Sequence, residues 1–242
     1  MIGFGLDLAG YTTGKTALAV IEIEGRRARA TLLRGSPLSA KRASDDDLKQ
    51  ILKAEVAALN RCLKIGPLAV DIPIDLQHLG NPDRAEYIWQ LTRRPIDRAV
   101  GAMPALADRI GAPVARFAAI MHEGKFGDLL GERLFEAYPA GTLKVLKIEA
   151  GQYKGDKGAD ALNSLCRTLK VEPQVESDDD IDARICAVTA AVPADAVCAE
   201  RILRVQGAMP KGFRIAKSLS FDQIVTSVAQ VEDWMASKEV SV

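Results

Sequence analysis

The sequence predicts an α/β fold, a mixed sheet in which an antiparallel three-strand meander is followed by parallel strands, with helices flanking it. Two observations carry this. The chain opens with alternating apolar runs divided by short turns, and the next apolar run is short, unbroken and preceded by a helical stripe.

Residues 2–9 read as the first strand and GYTTG at 10–14 as a turn. Lys15–Ile23 is the second strand, with Ala17, Ala19, Ile21 and Ile23 on one parity, and after a turn at Glu24 and Gly25, Arg27–Arg34 is the third. Ser44 before Asp45, Asp46 and Asp47 reads as a helix start, because a hydroxyl cap and early acids suit the exposed amides and the positive end of the dipole. Leu48, Ile51, Leu52, Val56, Leu59, Cys62 and Leu63 continue that helix. Pro67–Ile72 is bounded by turn residues and apolar on both parities, which predicts a parallel strand buried on both faces. About 74–124 reads as an insertion rich in proline and charge, with a short helix around Pro104–Ile110. Arg133–Tyr138 is a further strand and Ala159–Leu169 a helix. Ser177 caps a strongly apolar helix that runs from Asp179 to Val192, where Pro193 stops it. About 213–242 reads as a helical extension. Ile224, Val225, Val228, Val231, Trp234 and Met235 share one helical face there, for packing on the domain or, in a competing reading, a homodimer contact. All 242 residues are thus expected to form one domain.

Composition narrows the function classes. The 32 basic and 32 acidic residues cancel, so net charge offers no attraction to nucleic acid or an anionic membrane, and any such contact must be local. MIGFGLDLAG lacks the features of a secretory signal, and no apolar run approaches the roughly 20 residues that span a bilayer, so a cytoplasmic protein with no membrane partner is expected. Cys62, Cys166, Cys186 and Cys198 are widely spaced and read as reduced core residues. With only two histidines, any metal is expected to be a hard cation held by oxygen.

AGYTTGKT at 9–16 imitates a phosphate-binding loop, and the strand ending in Asp71 imitates its usual partner. A working loop runs into a helix whose first amides hold the phosphates, whereas Thr16–Ile23 alternates as a strand. A hairpin turn with Lys15 at its rim is the expected structure.

Four acids stand in apolar surroundings: Asp7, Asp71, Glu136 and Asp182. A buried charge is costly unless paired or bound to a cation, so a shared metal site is the sharper reading. Asp7 shares its parity with Gly3 and Gly5, read as leaving room for an ion or a substrate beside the acid. Asp71 ends the presumed parallel strand, where open α/β sheets present ligand-binding groups. If the first and fourth strands are neighbours, Asp7 and Asp71 repel unless a cation neutralises them. Mg2+ or Mn2+ suits such oxygen ligands, with Asp179 three residues before Asp182 on the same helical face as a further ligand. In the competing readings Asp179 is a first-turn acid, Asp182 pairs with an arginine, and Glu136 pairs with Arg133 or Arg94.

The pieces GLDLAG, AVDIPIDL, RRPIDR, FEAYPAGTLKVL and DDIDARICAVTAA, in this order over residues 2–192, resemble the domain of unknown function 429 family, regarded as predicted nucleases with an RNase H-like fold. The resemblance implies carboxylates meeting at the centre of the sheet. It carries a catalytic role to Asp7, Asp71 and Asp182, with Glu136 at the same site, while Arg94 and Asp97 match an element that is structural or orients a substrate phosphate. The expected function is a divalent-metal-dependent nuclease or phosphodiesterase acting on nucleic acid. The hydroxyl-rich loop of Tyr11, Thr12 and Thr13, next to Lys15, is similar to the phosphate-binding turn of actin-like ATPases, so a nucleotide-binding phosphotransferase is the alternative. A non-catalytic binding module of the same fold is the third.

Overall fold

The computed structural model describes residues 1–11, 15–35, 38, 45–77, 79–148, 166–168, 177–192, 209–216 and 223–239. Its centre is the expected meander: β1 (Ile2–Asp7), β2 (Ala17–Glu24) and β3 (Arg27–Arg34) pair antiparallel in sequence order. Helix α1 (Asp45–Ile65) then carries the chain across the sheet to β4 (Leu68–Val70), which pairs parallel with β1. Strand β5 (Leu134–Ala137) adds in parallel to β4, and the two-residue β6 (Phe213–Arg214) to β5. Between β4 and β5 lie α2 (Pro95–Val100) and α3 (Asp108–Gly124). α4 (Pro139–Val145) follows β5, and α5 (Asp178–Ala191) is capped by the Ser177 hydroxyl, which accepts from the Asp180 N–H at 3.4 Å.

Two segments depart from the sequence reading. The insertion helix expected around Pro104–Ile110 instead runs over Asp108–Gly124 and contains Pro113. The extension expected to be helical supplies β6 and an eight-residue strand, β7 (Gln223–Gln230), parallel to β3; only α6 (Val231–Glu239) is helical. The run IVTSV is mostly β-branched, and the free edge of β3 offers it a complete ladder, so tertiary pairing overrides a pattern that also fits a helix. The sheet order is β6-β5-β4-β1-β2-β3-β7.

The two faces of the sheet are packed differently. Phe4, Leu6 and Leu8 meet Val20, Leu59, Leu63, Phe117, Ile120 and Trp234, so α1, α3 and α6 cover one face. Ala17, Ala19, Ile21 and Ile23, the parity set apart in the sequence, meet Ala183, Ala187, Val188 and Ala191 of α5 on the other. Cys62, Cys166 and Cys186 are buried and unbridged; Cys198 lies outside the described residues. Among the described residues no helix is long and apolar enough to cross a membrane.

Candidate functional site

Strand register brings two of the sequence-predicted acids together. Leu6 pairs with Val70 in the parallel β1–β4 ladder, and the Asp71 N–H donates to the Leu6 carbonyl at 2.9 Å, so Asp7 and Asp71 follow side by side at the ends of strands about 4.8 Å apart. Their parity is that of Gly5 and Ala69. Gly5 abuts α5, and Ala69 packs on Cys186 and Ala190, so both acids belong to the α5 face.

Helix α5 brings a third. A β-carbon on Gly3 would stand 2.5 Å from the Ala187 carbonyl oxygen, and one on Gly5 would overlap the Ala183 carbonyl. The glycines therefore do not open space for an ion, as the sequence suggested. They let the backbone of α5 lie directly on β1, which puts Asp179, one turn before Ala183, in hydrogen-bond contact with Asp7. Burial pushes the Asp179 carboxyl above its ordinary value, and the charges of Asp178 and Asp182 add to this, opposed by Lys15 and the Asp7 hydrogen bond. Asp182 is buried one turn further into α5 and acts on Asp179 through its charge; it does not line the cleft described below. Its neighbour Asp180 pairs with Arg34 of β3 at 2.9 Å, which ties the start of α5 to the sheet.

Glu136 has a different fate. It pairs in register with Val70, and so belongs to the face opposite Asp7 and Asp71. Its oxygens accept from Arg94 Nη2 at 2.6 Å and Nη1 at 2.8 Å, and from the Ile74 N–H at 2.8 Å. Burial pushes the carboxyl up, while Arg94 and the Ile74 amide oppose it. Arg94 loses from burial but gains more from Glu136 and Asp97, so its pKa is raised and the buried group is held as an ion pair. The competing sequence reading for Glu136 is thus the observed arrangement. Of the two roles expected for Arg94, structural or orienting a substrate phosphate, its contacts suit the first: its five N–H groups serve Asp97, Glu136 and the Asp75 carbonyl.

Asp7, Asp71 and Asp179 open onto one cleft of about 1170 Å3, which also reaches Glu136 and Arg94. Exposed cations Lys15, Arg109, Lys144 and Lys147 line it as well. Lys15 is followed by β2, as expected, and not by the helix of a phosphate-binding loop. Thr12 and Thr13 lie outside the described residues.

A second buried ion pair, missed in the sequence, holds Ala9, Tyr11 and Thr16 in place. Arg116 of α3 donates through Nε to Glu55 of α1 at 2.9 Å and through Nη2 to the same oxygen. Its Nη1 donates to the Ala9 carbonyl at 2.6 Å and Thr16 Oγ1 at 3.1 Å, and its Nη2 to the Leu38 carbonyl at 2.7 Å. Tyr11 donates to the other Glu55 oxygen at 2.7 Å, and burial followed by Glu55 pushes its hydroxyl up to about 12. The available signal was a charge inside an apolar helical stripe: Glu55 between Leu52 and Leu59, Arg116 between Val114 and Ile120.

Among the described residues no three acid, histidine or cysteine side chains are grouped as a ready-made metal cage. The donor set is nonetheless of the right kind. Mg2+ commonly keeps several waters and takes only one or two carboxylates plus substrate phosphate oxygens, and adjacent Asp7 and Asp179 with Asp71 on the next strand can supply these. No protein-family model, curated protein or solved structure matches the chain.

Proposed function

We propose that the cleft is the active site of a divalent-metal-dependent phosphodiesterase acting on nucleic acid, built on an RNase H-like sheet. The observation that carries this reading is the Asp7–Asp179 contact beside Asp71 at the strand ends, facing a cleft with four exposed cations. Burial and the charges of Asp178 and Asp182 raise the cost of ionising Asp179, and a Mg2+ or Mn2+ ion would relieve it. Such an ion, when bound, lowers the pKa of water and neutralises charge on a phosphate. Adjacent Asp7 and Asp179, with Asp71 on the next strand, would hold it together with water and phosphate oxygens. Asp182 adds negative potential from beneath, and Lys15, Arg109, Lys144 and Lys147 draw the phosphodiester in and orient it. Glu136 serves as the anchor of Arg94 and keeps α2 against the cleft. The resemblance to the domain of unknown function 429 family agrees with this assignment of Asp7 and Asp71.

Pure protein incubated with DNA or RNA and Mn2+ tests the reading. Cleavage is expected, and it should disappear with chelator or with Asp7→Asn. Cleavage that persisted through both would contradict it. Lys15 and Gly10 in the same cleft favour a second reading, nucleotide phosphotransfer, for which ATP should protect the fold thermally and Lys15→Ala should abolish that protection.

A further inference from the structure

Between β4 and α2 the chain displays aromatic side chains that the core does not use. The ring of Tyr87 stacks on that of Trp89 with centroids 5.9 Å apart and planes at 6°, and the Arg98 guanidinium lies 5.2 Å from the Trp89 centroid. Tyr87 remains 59% exposed and the intervening Ile88 82%. The arrangement is held from within: buried Gln90 accepts the Glu86 N–H at 2.6 Å and the Tyr87 N–H at 3.4 Å through its side-chain oxygen, fixing the turn that presents the rings. Burying a tyrosine ring is favourable, and stacking two rings in water leaves much of that gain unrealised. A prearranged aromatic pair beside an arginine suits a flat, electron-rich ligand attached to an anion.

The platform is joined to the cleft by α2. Arg94, Asp97 and Val100 of that helix line the cleft, whereas Arg98 is exposed and meets Trp89. The Arg94–Glu136 pair locks α2 to β5, and so fixes the platform relative to the acids. This gives the internally satisfied arginine a purpose that direct phosphate binding does not. We infer that Tyr87 and Trp89, with Arg98, form a stacking site for an unpaired nucleobase of a single-stranded nucleic acid whose backbone enters the cleft. The inference rests on the phosphodiester reading of that cleft. Stacking accepts any base, since each has a π-face, and requires that the base not be enclosed in a duplex.

The test uses the full chain and two probes. Binding of oligothymidylate is followed by tryptophan fluorescence and by anisotropy of a labelled strand in chelator, where no cleavage occurs. Hydrolysis of bis(p-nitrophenyl) phosphate with Mn2+ reads the cleft alone. Tyr87→Ala and Trp89→Ala should each weaken oligonucleotide binding roughly 5- to 150-fold, the span equivalent to about 1–3 kcal/mol per stacked base. They should leave the small diester's turnover unchanged, while Tyr87→Phe and Ile88→Ala should bind like the parent. Oligonucleotide affinity indifferent to loss of either ring, with diester hydrolysis intact, overturns the platform and leaves the cleft reading standing. Ring-dependent binding without diester hydrolysis supports the platform and removes the cleft reading. A loss with Ile88→Ala equal to that with Tyr87→Ala overturns stacking in favour of an apolar protein-docking patch.

Discussion

Glu136 and Asp7 lie near the ends of strands in one sheet, yet the chain places them in different surroundings. Glu136, on the face covered by α1, α3 and α6, is enclosed by Arg94 and an amide. Asp7, on the α5 face, is given another carboxyl as its neighbour and opens onto a cleft. An acid matched with a cation inside the protein has little left to offer a ligand, while acids gathered at the edge of a cleft are placed to meet one. Period-two alternation makes the choice: Glu136 is level with Val70, and Asp7 and Asp71 are one residue further on.

The comparison is broken most severely by Arg94→Ala. It leaves Glu136 and Asp97 buried without their cation and should cost about 3–5 kcal/mol in urea unfolding. Asp7→Asn, at a half-buried position on the edge of the cleft, should cost less in metal-free buffer. Gly5→Ala comes next. Its methyl meets the backbone of α5 and cannot be accommodated by a side-chain rotation, so a loss beyond the roughly 1–3 kcal/mol of ordinary overpacking is expected, with Asp179 displaced from Asp7. The smallest effect is a pH slope. The folded-state pKa of Asp179 lies above its ordinary 3.8, so the folded state binds more protons, and the stability this group contributes is complete below that value and lost as pH rises through the folded pKa. Asp179→Asn should flatten that decline in a series of thermal melts at rising pH.

The meander and the parallel nature of the fourth strand were legible because alternation and an unbroken apolar run are local signals, whereas its pairing with β1 was only supposed. The roles of Gly3 and Gly5 were not. The same glycines suit an open site or a close helix, and only the matching small residues Ala183, Ala187 and Ala191, nearly two hundred positions away in the chain, favour the helix. β7 was misread because Ile224, Val225, Val228 and Val231 satisfy a helical stripe as well as a strand, and the ladder that decides between them belongs to β3. Partners of buried charges are set by packing. Arg94 was among the candidates for Glu136, while Glu55 and Arg116, 61 residues apart, carried only the hint of a charge in an apolar stripe.

Asp7, Asp71 and Asp179 are the proposed seat for a divalent cation. Thermal unfolding of the parent and of Asp7→Asn at neutral pH, with and without Mn2+, tests it most directly. Mn2+ should raise the parent's Tm, by an amount equivalent to about 2.7 kcal/mol at a hundredfold excess over Kd, and leave Asp7→Asn unmoved. A parent indifferent to Mn2+, or a variant stabilised as much as the parent, would contradict it.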